Sequence, residues 1–212
     1  MIREVSETLQ AILDDPGLEK SFPELAAAQV AFERPSEQYA PTQATVNLFL
    51  FDIRENTELR VKEPVIEHRD GRAHILRPPM RVDCSYLLTA WIAGGAGPKP
   101  VLEEHELLGQ ALQVFSRHPT IPENFLQGSL KSQGRPLPLS VGGTNSGEMK
   151  DPADFWTALG NRLRPSLVVT VTLELQTAEL GTAPLVKRRL LHVGLRADAA
   201  GPGLNPNTAE EL

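Results

Sequence analysis

The chain has one cysteine, no long apolar run and no excess of positive charge, and each shortage removes a class of protein. A lone Cys84 in 212 residues cannot close an intramolecular disulfide. Disulfide-stapled extracellular scaffolds are therefore excluded, and a buried thiol in a reducing compartment is expected. No segment reaches the ~18 apolar residues of a membrane-spanning helix. The opening Met1-Ile2-Arg3-Glu4-Val5-Ser6-Glu7 is acidic where a secretory leader would be basic and then apolar. A protein that is cytoplasmic at synthesis, with no membrane partner, is the expectation. The net charge of -6 argues against a general nucleic-acid binder, which needs a basic face to neutralise phosphates. Local basic patches remain compatible with it.

Chemical signatures are also scarce. His68, His74, His105, His118 and His192 show neither the i, i+4 helical pairing nor the Cys/His grouping that metal ligation needs. The loop from Gly142 to Gly147 lacks the Gly-Lys-Ser/Thr ending of a phosphate-binding loop, and the helix expected after it opens with Asp151 and Asp154, which repel phosphate. No Gly-x-Ser-x-Gly elbow occurs. The best acid pair is Asp52 with Asp83, each in an apolar strand, which could share a proton or hold a metal. Arg54 and Arg81, two residues away on the same strands, offer both carboxylates an ion-pairing role instead. No catalytic residue, cofactor-binding residue or metal ligand is assigned, and no cofactor is expected.

What is present is patterned apolar sequence. Hydrophobic residues make up 41% of the chain, enough for one core, so a single domain over residues 1–196 is expected. Two runs organise it, Val46 to Arg54 and Met80 to Ile92. In the first, alternation puts Val46, Leu48 and Leu50 on one side and Phe49, Phe51 and Ile53 on the other, the mark of a central strand. In the second, Met80, Val82, Cys84, Tyr86, Leu88 and Ile92 share a face. Its other face begins polar with Arg81, Asp83 and Ser85 and ends apolar with Leu87 and Trp91.

The other elements read from periodicity and stop signals. Ile2, Val5, Leu9, Ile12 and Leu13 predict an amphipathic helix ended by Asp14-Asp15-Pro16-Gly17. Ala26 to Arg34 predicts an edge strand. Leu102 to Arg117 predicts a second helix ending at His118-Pro119, and Asp151-Pro152 predicts the N-cap and first residue of a third, with Phe155 and Trp156 in the core. Leu137 to Val141 and Leu167 to Leu175 alternate as strands, and Pro184 to Arg196 is read as a last one. Leu59 to Pro79 is charged, carries a hairpin signal at Asp70-Gly71, and reads either as a long surface loop or as a projecting, mobile arm that orders on a partner. Residues 197–212 have almost no apolar side chains and are expected to be a flexible tail. The fold class is α/β in the α+β sense, a single mixed, mainly antiparallel sheet flanked by about three helices.

Several stretches, in order, carry a resemblance: Ile2-Arg3-Glu4-Val5, Val46 to Asn56, Arg77-Pro78-Pro79-Met80-Arg81-Val82-Asp83, Glu104-His105-Glu106-Leu107-Leu108-Gly109, and Asp154 to Leu159 followed by Arg164-Pro165-Ser166-Leu167. From Ile2 to Gln176 the chain resembles the cap, or tail-terminator, family of extracellular contractile injection systems, phage-tail-like particles of the virulence-cassette and antifeeding-prophage type. The resemblance implies a phage tail-terminator-like subunit that is structural and not an enzyme. It further implies a homohexameric ring that ends the inner tube and anchors the last sheath layer, with the inner tube protein and the sheath protein as partners, and incorporation into an injection particle. Two other classes compete with it: a small cytoplasmic hydrolase or metal-dependent enzyme using Asp52 and Asp83, and a monomeric adaptor that binds through its tail.

Overall fold

The structure, a computed structural model, describes residues 1–94, 98–133, 135–142, 152–160, 162–175 and 179–184. Helix α1, Ile2–Leu13, forms where expected and buries Val5, Leu9, Ile12 and Leu13, while Ile2 stays exposed. Glu4 lies in its first turn, where a carboxylate is stabilised by the helix dipole. The chain then turns at Asp15, whose carboxylate accepts a hydrogen bond from the Gly17 N–H at 3.0 Å. A one-turn helix α2, Pro23–Ala26, leads to strand β1, Gln29–Ala31.

The two organising runs become β2, Thr45–Glu55, and β5, Met80–Trp91. With β6 (Thr120–Ile121), β7 (Leu137–Val141) and β8 (Leu167–Leu175) they form a six-stranded sheet in the order β1-β2-β5-β8-β7-β6. Only β1 and β2 run parallel; the other pairings are antiparallel. β5 is thus flanked on both sides, and its second half, covered on both faces by the two hydrophobic clusters, is buried throughout.

One face of this sheet packs on α1 and on α3, Pro98–Ser116. Leu48, Cys84, Tyr86, Leu88, Val169 and Val171 come from the strands, and Leu107, Ala111, Val114 and Phe115 from α3, each buried in one core. A core Leu removed from water contributes about 1.5–3 kcal/mol, so this layer is the main source of stability. The opposite face carries a smaller cluster, where Leu87, Phe49 and Phe51 pack on Phe155, Trp156 and Leu159 of helix α4, Pro152–Ala158, and the turn after it. The Phe155-Trp156 pair is therefore core, as its spacing suggests. Asp151, expected as the N-cap of this helix, lies outside the described residues.

A β-bulge alters the expected faces of β2. Leu50 sits opposite Tyr86 but Asp52 sits opposite Ser85, so Phe51 is an extra residue and the parity of the strand inverts after it. Phe49 and Phe51 remain together against Phe155, with the Phe51 and Phe155 rings 5.1 Å apart. Ile53 moves to the other side and is exposed, while Asp52 and Arg54 join the face that holds Asp83.

Leu59 to Pro79, read as a long surface loop or a projecting, mobile arm, holds regular structure in its middle. It contains the hairpin β3, Val65–Arg69, and β4, Arg72–Leu76, and β4 pairs with β9, Glu179–Pro184, in a separate three-stranded sheet ordered β3-β4-β9. Asp70 and Gly71 form its two-residue turn with φ of 51° and 70°, the left-handed pair that a type I′ hairpin requires. β9 is the last strand among the described residues and meets the segment read as a strand only at Pro184; residues 185–196 of that reading, the Gly143–Gly147 part of the glycine loop and the 197–212 tail lie outside the described residues.

Candidate functional site

The second face of the main sheet divides in two. Its upper half is closed by α4 and by the segment after β1. Asn47 clamps that segment by donating to the Glu33 carbonyl and accepting from the Glu33 N–H, at 2.9 and 2.8 Å. Arg34 donates to the Ala158 carbonyl at the end of α4. At the edge of this closure the Arg164 guanidinium lies 3.8 Å from the centre of the Trp91 ring and pairs with Glu104.

The lower half is a polar strip that the bulge assembles. Arg54 sits opposite Asp83 and Asp52 opposite Ser85, which makes the two aspartates diagonal neighbours, about 7–8 Å apart at their Cα atoms. Asp52 accepts from Arg54. Asp83 accepts from Thr172 at 2.7 Å and from Asn56 at 2.9 Å. Arg81, offered by the sequence as the partner of Asp83, instead faces Glu174 at 3.7 Å, because β8 brings Glu174 directly opposite it. Half of the expected ion pairing is thus corrected: Asp52 has its arginine, and Asp83 is held by a hydroxyl and an amide from elements distant in sequence.

This arrangement does not resemble a hydrolytic or metal centre. Among the described residues no group of three or more His, Cys, Asp or Glu side chains converges on one point. The nearest thiol, Cys84, points to the other side of the sheet and is buried. Burial, reinforced by the charges of Asp83 and Asp52, pushes its pKa up to about 11, so it is a protonated core side chain and not a nucleophile. Tyr86 beside it is pushed up to about 12 by burial, opposed by its hydrogen bond with Ser6.

Below the strip lie two clefts, of which only the second borders the three-stranded sheet. One of ≈ 280 Å³ is bordered by Leu59, Arg81, Pro138 and Thr172. The second, of ≈ 240 Å³, is bordered by Val65, Glu67, Leu76 and Arg77. Both share Arg135 and Glu174, and Arg135 donates to Glu174 at 2.9 Å. One face of the three-stranded sheet therefore turns inward to this cleft, through Val65, Glu67 and Leu76. The register places Ile66, His68, Ala73, Ile75, Gly181 and Ala183 on the face that turns away. Sequence reading missed Thr172, Asn56, Glu174 and this outward face, since all depend on which strands pair.

The features that could serve function are therefore surfaces: a polar sheet strip and a second sheet whose outward side is largely apolar with His68 among its residues. Residues 4–188 match the family model described as the Pvc16 N-terminal domain. A cryo-EM structure of an extracellular contractile injection system, the PVC sheath/tube terminator in its extended state, is similar with a TM-score of 0.63 and 20% identity, over 94% of this chain and 65% of that one. A cryo-EM structure of the anti-feeding prophage cap, the AFP tube terminating cap, is similar with a TM-score of 0.58 and 22% identity, over 90% of this chain and 59% of that one. The chain spans less than two thirds of the length of either relative. No curated protein matches the chain. At these identities the likeness is one of fold, and the mixed, mainly antiparallel sheet with flanking helices is that of these tail terminators.

Proposed function

The chain belongs to the Pvc16 N-terminal domain family, and from this premise we propose that it is the cap of a phage-tail-like contractile injection particle. In this reading six copies close into a ring on the distal end of the inner tube, block further addition of tube subunits and anchor the last sheath layer. Its partners are then further copies of itself, the tube protein and the sheath protein. Residues 1–196 act as the cap domain and 197–212 as a separate tail segment.

The observation that carries the reading is a shared fold over 94% of the chain with a sheath/tube terminator, joined to a family match that covers most of the chain. The local chemistry supports it. Asp52 and Asp83 are engaged by Arg54, Thr172 and Asn56, which favours a structural role for both over the alternative hydrolase or metal-dependent enzyme. Among the described residues no helix is long and apolar enough to cross a membrane, in keeping with a component of a particle.

Electron microscopy of particles from a strain lacking the gene tests the proposal. Uncapped tubes of uncontrolled length, or sheaths that detach or contract prematurely, are expected. Particles of normal number, uniform length and extended sheath would overturn it.

A further inference from the structure

We infer that the two clefts below the polar strip hold an acidic stretch of the same chain, Thr208-Ala209-Glu210-Glu211-Leu212, laid across them in an extended form. Nothing in this contact needs the ring described above.

The first cleft opens where two prolines stop a ladder. β7 and β8 pair only through Leu139, Ser140 and Val141. Continued in the same register, Pro138 and Pro136 would stand opposite Thr172 and Glu174, and proline has no N–H to donate. The Val168 carbonyl accepts from the Gly142 N–H at 2.8 Å on the β7 side, so by alternation along an unbroken strand the Thr172 and Glu174 carbonyls point that way too. That of Glu174 accepts from the Gln133 side-chain amide at 3.3 Å. That of Thr172 is offered no donor by β7, and it borders the cleft together with Leu137 and Leu173. An extended chain laid there finds a backbone acceptor beside apolar side chains. At ≈ 280 and ≈ 240 Å³ the clefts fall below the ~300 Å³ at which small-molecule pockets begin, and because they share Arg135 and Glu174 one short peptide can run through both.

Charge and reach name the occupant. The clefts are lined by Arg69, Arg77, Arg81 and Arg135 against Glu67 and Glu174, an excess of two positive charges in a chain whose net charge is -6. Residues 197–212 carry Asp198, Glu210 and Glu211 and no Lys or Arg. Exposed ion pairs of this kind are weak one by one, so the tether decides. β9 ends at Pro184 opposite Arg72, and Leu76, which lines the second cleft, lies four residues along β4, about 13 Å away. The 26 residues from Pro184 to Glu210 span about 28 Å as a flexible chain, so the stretch reaches the clefts without strain. A tether of that kind supplies an effective concentration in the millimolar range, enough to half-fill a site whose Kd for the free peptide is about 1 mM. An untethered acidic peptide lacks this advantage. In the isolated subunit the chain's own stretch is the first occupant, and a partner that uses the clefts has to displace it.

The test uses the full chain with a nitroxide attached through Ala209→Cys, the buried Cys84 being out of reach of the label. Paramagnetic broadening of the backbone amide signals of Arg135, Thr172 and Glu174 is expected, independent of protein concentration. Raising the salt from about 0.1 to 1 M, which shortens the screening length from about 10 to 3 Å, is expected to remove it. Glu210→Lys combined with Glu211→Lys is expected to remove it as well, and both changes lie outside the described fold, so the clefts stay as they are. Adding Arg69→Glu and Arg135→Glu to that variant reverses the charge of the clefts and is expected to bring the broadening back at Thr172 and Glu174. No broadening at the clefts, broadening there that ignores Glu210→Lys with Glu211→Lys, or broadening at Lys187, Arg188 and Arg189 in their place would overturn the contact. Broadening of an isotope-labelled chain by a second, nitroxide-bearing copy would overturn it too, by giving the clefts to a neighbour's stretch.

Discussion

The two sheets of this protein use the same hydrogen-bonded ladder for opposite ends. In the six-stranded sheet the helix-facing side is filled by α1 and α3, and Leu48, Tyr86, Leu88 and Val171 are sealed. In the three-stranded sheet a two-residue turn and the pairing of β4 with β9 supply the order, yet Ile66 and Leu180 remain in solvent. The first sheet uses its apolar surface to fold; the second holds its surface in reserve. Backbone pairing sets the shape of a sheet, and what covers its faces decides whether it serves stability or assembly.

The contrast is broken most sharply by matched truncations. Leu88→Ala in the main sheet is expected to cost about 2–5 kcal/mol in denaturant unfolding, through lost burial and a residual cavity. Ile66→Ala in the projecting sheet is expected to stay within about 0.5 kcal/mol while lowering incorporation into particles. Equal losses of stability from both would erase the distinction drawn between the sheets.

A smaller effect sharpens it. Gly71→Ala forces a side chain into left-handed backbone at φ 70°, at a cost of about 1–2 kcal/mol. The loss should be local: amide exchange across Val65–Leu76 should accelerate while the amides of β5 keep their protection. Acceleration in β5 as well would mean that the two sheets open as one unit.

The smallest effect concerns the polar strip. Asp83→Asn keeps one carbonyl oxygen to accept from Thr172 or Asn56 and forfeits the other bond, so a cost of about 0.5–1.5 kcal/mol in thermal or denaturant unfolding is expected, with assembly retained. A cost well above that range would show that the carboxylate charge holds the strip together, and hydrogen bonding alone does not.

Much of the main sheet was legible before any coordinates. Alternation marked β2, β5 and β8, the spacing of Val5, Leu9 and Ile12 marked α1, and Asp70-Gly71 marked the hairpin, because each signal is local and reflects a period or a turn geometry. The strand β9 was not legible. Gly181, Ala183 and Pro184 are poor strand formers, and only pairing with β4 orders them. The bulge was hidden too, since Phe49, Phe51 and Ile53 keep alternating in sequence straight through it. Strand pairing at long range hid the candidate surfaces: the partners of Asp83 come from Asn56 and Thr172, and the outward side of the second sheet includes Ala183, 117 residues along the chain from Ile66.

The extra residue at Phe51 has an effect beyond its own strand. Ahead of it the strand delivers Phe49 to the α4 layer, and behind it the same strand delivers Asp52 and Arg54 to the open strip, so one insertion lets a single strand speak in two phases. The two phases can change separately. Substitutions in the segment from Asp52 onward alter the outer rim without disturbing the register that the core reads from Thr45 to Leu50, and those before it repack the interior without relocating the charges. A protein that must fit several neighbours while keeping one interior gains from such an uncoupling, because the rim can drift with its partners as the core stays in step.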